Sequence, residues 1–70
     1  MSAPDHYKIA LLDALLAHDI HVLADQGSWL EVEKGYTIEI EANGLYKLLS
    51  EGMVVAPFHD LAELCEFIKM

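Results

Sequence analysis

Residues 20–56 read IHVLADQGSWLEVEKGYTIEIEANGLYKLLSEGMVVA, and this stretch decides the fold. Glycines stand at 27, 35, 44 and 52, each closing a short stretch: Asp25-Gln26-Gly27, Glu33-Lys34-Gly35, Ala42-Asn43-Gly44 and Ser50-Glu51-Gly52. A common three-residue hairpin loop is a type I turn followed by a left-handed residue, a conformation that glycine takes without a Cβ clash. Loops of this kind predict an antiparallel meander of about five strands, at about 20–24, 28–32, 36–41, 45–49 and 53–56.

The loops also predict a register. Val22 faces Leu30, Val32 faces Tyr36, Leu30 faces Ile38, Ile38 faces Leu48, Ile40 faces Tyr46 and Leu48 faces Val54. One side of the sheet then gathers Ile20, Val22, Ala24, Leu30, Val32, Tyr36, Ile38, Ile40, Tyr46, Leu48, Val54 and Ala56. A two-residue Lys34-Gly35 turn would instead set Leu30 against Glu39. The longer loop keeps the apolar set together, and register is strongly specified where one face is buried. It also sets Glu39 beside Lys47, a favourable cross-strand pair.

Helices flank the meander. The first is expected at about 3–18, with Ser2 as cap, Pro4 in the first turn and Asp5 completing a near capping box. Ile9, Leu12 and Leu16 fall on one face, Leu11 and Leu15 widen the stripe, and Lys8 and Asp13 mark the wet side. His18 suits the helix C-terminus. The last helix is expected at about 59–69, after Pro57, with Asp60 and Glu63 as cap and reciprocal partner and Leu61, Leu64, Cys65 and Ile68 as its stripe. Asn43 to Gly52 also reads as a two-turn helix, with Asn43 as N-cap and Gly52 past the end, which would leave a sheet of four strands or fewer. The strand reading is preferred because Tyr46, Leu48 and Val54 continue the core face. The expected fold class is α+β: N-terminal helix, β-meander, C-terminal helix, in a single small globular domain spanning residues 1–70.

Seventy residues bury only about 60% of the unfolded surface, so stability needs a good core, a partner, or both. Cys65 is the sole cysteine, which excludes an intrachain disulfide and a Cys-pair zinc site; it fits a reducing compartment and reads as a buried thiol. The hydrophobic content of 54% exceeds what one small core hides. The net charge is −8, with twelve acidic side chains against four lysines and no arginine. No basic stripe exists for phosphates, so direct nucleic-acid binding is not expected. The first residues carry no basic region followed by an apolar run, and no apolar stretch approaches the ~20 residues of a bilayer span. The expectation is a cytoplasmic protein without membrane contact.

Motifs for chemistry are missing: no dinucleotide-binding glycines, no P-loop, no nucleophile elbow and no His-Glu-x-x-His. His18 and His21, with Asp19 and Asp25, fall at a helix end without ligand geometry, so neither a metal nor a cofactor is expected. Glu31, Glu39 and Glu41 alternate on the outer side of the sheet, and paired carboxylates do acid–base work only where burial separates their pKa values. No catalytic residue is assigned and the chain is not read as an enzyme.

The same outer side is expected to carry Leu23, Trp29, Leu45, Leu49, Met53 and Val55. An exposed apolar patch on a small protein marks an interface, and Trp and Met are enriched there. The expected function is a non-enzymatic protein–protein interaction module, a small acidic adaptor or homodimer, using Leu23, Trp29, Glu31, Glu39, Glu41, Leu45, Leu49, Met53 and Val55. The runner-up is an acidic inhibitor in which Glu31, Glu33, Glu39, Glu41 and Glu51 imitate nucleic-acid phosphates toward a basic protein. A small metal-dependent or acid/base enzyme is the least supported class. The pattern leaves open whether the helices share one face of the sheet or take one each.

Overall fold

The computed structural model describes residues 5–70, and the expected Ser2 and Pro4 capping features lie outside them. The element order is α1 (Asp5–Ala17), β1 (Val22–Asp25), β2 (Trp29–Val32), β3 (Tyr36–Ile40), β4 (Tyr46–Ser50), β5 (Met53–Phe58) and α2 (Leu61–Lys69), with a tight turn at Glu33–Gly35 in which Lys34 and Gly35 take positive φ (67° and 79°). The strands form one antiparallel sheet in the order β1-β2-β3-β4-β5. Residues 43–52 therefore belong to a loop and a strand, and the helical alternative for them is excluded.

The centre of the meander follows the expected register. Leu30 pairs with Ile38, Ile38 with Leu48, and Ile40 with Tyr46. The β2–β3 and β3–β4 connections are three-residue loops, the second closed by Gly44 N–H donating to the Glu41 carbonyl at 3.0 Å and by the Asn43 side chain accepting from Leu45 N–H at 3.1 Å.

The two outer hairpins differ from expectation. Between β4 and β5 the loop is the two-residue Glu51-Gly52, both with positive φ (54° and 81°), and Ser50 pairs with Met53. Positive φ at both central residues is the turn whose twist matches a hairpin. The shorter loop slides β5 by one residue, so Leu49 pairs with Val54, and a bulge at Val55 sets Leu48 opposite Ala56 instead of Val54. Between β1 and β2, Gln26 N–H donates to the Trp29 carbonyl at 2.9 Å across a two-residue Gly27-Ser28 turn. Asp25 then pairs with Leu30 and Ala24 with Glu31, and a bulge at Leu23 brings Val22 opposite Val32 instead of Leu30.

Both helices lie on one face. Leu11 and Leu15 of α1 and Leu64, Cys65 and Ile68 of α2 join Ile20, Leu30, Val32, Ile38, Ile40, Tyr46 and Leu48 in a single buried cluster. Each fully buried aliphatic side chain there contributes about 1.5–3 kcal/mol relative to exposure, which is what a chain this short requires. Val22, Ala24, Val54 and Ala56 were expected in this layer; Val22 and Val54 are exposed, and Ala24 and Ala56 are only half-buried, because the outer strands are edges and the slides above moved Ala24 and Val54 to the other side. The Tyr46 hydroxyl donates to the Tyr7 carbonyl at 2.9 Å and ties β4 to α1.

α1 buries a different stripe from the expected one. Leu11 and Leu15 are fully buried with Tyr7, Leu12 and Ala14 packed beside them, whereas Ile9 and Leu16 are exposed. Leucines and alanines run around the whole helix, so the sheet rather than the pattern chooses which face is covered. The helix stops where Asp19 takes φ 59°. Asp19 N–H donates to the Leu16 carbonyl and Ile20 N–H to the Leu15 carbonyl, a Schellman arrangement whose following apolar residue, Ile20, enters the core. At the other end of the chain, the Asp60 carboxylate accepts from Ala62 N–H at 2.8 Å and caps α2, and the Lys34 ammonium donates to the Ile68 carbonyl at 2.9 Å.

Candidate functional site

A sheet with both helices on one side has a second side, and here it is open. Side chains alternate across a strand, so the residues between the core positions point the other way. Cross-strand pairing lines them up in two rows: Ala24, Glu31, Thr37, Leu49 and Val54 across all five strands, and Trp29, Glu39, Lys47 and Pro57 across β2 to β5. Trp29 is 40% exposed, Glu31, Val54 and Pro57 are exposed, and Thr37, Glu39, Lys47 and Leu49 are half-buried. Trp29, Thr37, Glu39, Leu49 and Gly52 line an open concavity of about 260 Å³. A methyl group added to Gly52 would meet nothing within 4 Å.

Of the residues assigned to this side from sequence, Trp29, Glu31, Glu39 and Leu49 meet there, with Glu41 and Leu45 at its margin where they bond across the β3–β4 loop. Three do not. Met53 pairs with Ser50 and so falls on the helix side of the sheet edge. Val55 and Leu23 are the extra residues of the two bulges, on the edge strands. Val54 takes the place expected for Met53 and Val55. Ser50-Glu51-Gly52-Met53 fits a two-residue Glu51-Gly52 turn as well as a three-residue loop, so the local sequence does not single out Val54.

The charges of the chain are distributed unevenly over the two sides. The Lys8 ammonium meets Asp25 at 2.6 Å, and this bond, together with Gly27 N–H, holds the Asp25 carboxyl below its usual range. Lys69 lies 3.7 Å from Glu33, whose carboxyl is lowered first by the His21 N–H and then by Lys69. Lys34 is bonded to the α2 carboxyl end. On the open side, Lys47 stands opposite Glu39 as expected, but its ammonium bridges to Glu41 at 2.9 Å, and that bond raises its pKa. Each lysine of the chain is thus engaged within the molecule. Glu31 and Glu39 have no ammonium bridge among the described residues.

Cys65 is buried in the core on the far side, and burial pushes its thiol pKa up. Among the described residues no group of three or more His, Cys, Asp or Glu is placed to hold a metal ion, and His18, His21, Asp19 and Asp25 form no such cluster. No described helix is long and apolar enough to cross a membrane. Comparison of the chain with protein-family models, curated proteins and solved structures finds no match.

Proposed function

We propose that the chain is a non-enzymatic interaction module that docks another protein on the sheet face opposite its helices. The observation that carries this reading is a tryptophan left 40% exposed at the rim of an open concavity on an uncovered sheet face. An indole in water is costly to leave bare, and tryptophan is the side chain most enriched among residues that dominate interface energetics. The concavity holds one carboxylate, Glu39, with a hydroxyl and apolar walls. Such a lining supplies recognition rather than an acid–base pair.

An adaptor for a different protein is favoured over a homodimer through this face. Two copies stacked here would bring Glu31 and Glu39 of each against those of the other, and the lysines that would neutralise them are already engaged. The phosphate-mimic alternative draws on five glutamates, of which Glu33 and Glu41 are bridged by Lys69 and Lys47. That leaves Glu31, Glu39 and Glu51 without an ammonium bridge among the described residues, a sparser acidic set than the five.

A photoreactive amino acid placed at Thr37, in the middle of the open face, and separately at Glu63, exposed on α2, tests the reading in the organism that produces the chain. The expected result is a discrete cross-linked product from position 37 that Trp29→Glu abolishes and position 63 does not give. Equal products from both positions, or a product from position 63 alone, would refute it.

A further inference from the structure

We infer that the partner seats an arginine side chain in the Trp29 concavity, its guanidinium against the indole and bonded to the Glu39 carboxylate. This rests on the docking reading above and adds the chemistry of the occupant. Trp29 and Glu39 are direct cross-strand partners, so an aromatic face and a carboxylate stand side by side on a rigid sheet. A cation over a tryptophan ring is attracted by its quadrupole, and a planar guanidinium also stacks on the ring while presenting a fork of donors to a carboxylate.

No ammonium of the described residues bridges Glu39 directly. Lys47 faces Glu39 across the strands and acts on it from a distance, but its own bridge goes to Glu41. Lys8, Lys34 and Lys69 are held on the helix side by Asp25, the Ile68 carbonyl and Glu33. The sequence contains no arginine and carries a net charge of −8, so the complementary cation comes from outside and is steered inward by the field of the whole molecule. Leu49 and Thr37 form the wall along which the methylenes of a long cationic side chain lie, and Gly52 leaves the entrance free of a side chain. A second copy of this chain offers no arginine and adds its own negative charge.

The test uses the hexapeptide acetyl-Ala-Leu-Arg-Leu-Arg-Ala-amide, the same peptide with citrulline in place of arginine, and the same peptide with glutamate in place of arginine. Each is titrated into the full chain, following backbone amide shifts and the fluorescence of Trp29, the chain's single tryptophan. The arginine peptide is expected to shift the Trp29 indole N–H, Thr37, Leu49 and Gly52 saturably. Citrulline, which keeps the shape and loses the charge, is expected to weaken binding about tenfold. Glu39→Gln is expected to weaken the arginine peptide about threefold, and Glu66→Gln, which removes an exposed charge on α2, less than twofold. The inference is overturned if the arginine and citrulline peptides bind this face equally, an outcome that leaves the docking reading standing. It is equally overturned if the arginine peptide leaves the Trp29 cluster unshifted or shifts only helix residues. Concentration-dependent shifts of that cluster without peptide would assign the face to a second copy and overturn it too.

Discussion

Leu48 and Leu49 are adjacent in β4 and chemically identical, yet the sheet sends them to opposite sides. Leu48 is fully buried between Ile38 and Ala56 under the helices, whereas Leu49 is half-buried on the open face between Thr37 and Val54. Truncating Leu48 to alanine removes a core side chain and leaves a cavity, a change that costs about 3 kcal/mol. A chain of this length has a total stability of about 4–10 kcal/mol, so Leu48→Ala removes about 30–75% of it and lowers the melting temperature by roughly 12–24 °C. Leu49→Ala carries the same loss of strand propensity but opens no cavity, and costs at most about 1 kcal/mol, a shift of roughly 4–8 °C. Thermal and urea unfolding followed by circular dichroism compares the two directly. Equal losses, or a larger loss for Leu49→Ala, would refute the sidedness of the sheet and place a second core layer where the open face is drawn.

Three further outcomes follow from single contacts. Glu51 holds φ 54° in a two-residue turn, and Glu51→Asn, giving the Asn-Gly pair that such turns prefer, is expected to stabilise by about 0.5–1 kcal/mol; a lower melting temperature would contradict the turn. Tyr46→Phe removes the bond to the Tyr7 carbonyl and is expected to cost about 1 kcal/mol in urea unfolding, while a neutral result would mean that α1 is not tied to β4 there. Asp25 has a folded pKa below its unfolded one, so its contribution to stability is present above the ordinary carboxylate range and is lost as pH falls through the folded value. Asp25→Asn is therefore expected to flatten the fall in urea midpoint below about pH 4, and an unchanged fall would contradict the Lys8 bridge.

The α+β architecture and the register of β2, β3 and β4 are legible because both inner loops have the three-residue length that the glycine pattern predicts, although Lys34 joins Gly35 at positive φ, and because Leu30, Ile38 and Leu48 have only one side on which to meet. The outer hairpins depart from the glycine pattern for a local reason. Gln-Gly-Ser-Trp and Ser-Glu-Gly-Met each fit a loop of two residues or of three, and a one-residue change in loop length moves every following side chain to the other face. The bulges at Leu23 and Val55 then recover part of the pattern, and a single sequence gives no signal for where a bulge falls. The buried stripe of α1 is not legible in the pattern because apolar residues surround that helix; only the packed sheet selects Leu11 and Leu15 over Ile9 and Leu16. Trp29, Glu39 and Leu49 lie on the side of the sheet expected for them because they stand on strands whose register is secure. The engagement of each lysine depends on distances across the fold, such as Lys34 to Ile68, which no local pattern encodes.

The central claim is that one side of the sheet carries the helices and the other meets solvent. Adding a soluble gadolinium chelate to the methyl-labelled protein and recording side-chain relaxation tests it most directly. Strong broadening is predicted for the Leu49 and Val54 methyls and the Trp29 indole N–H, with the methyls of Leu30, Ile38 and Leu48 protected. Protection of Leu49 together with Leu48 in the isolated chain would contradict the account.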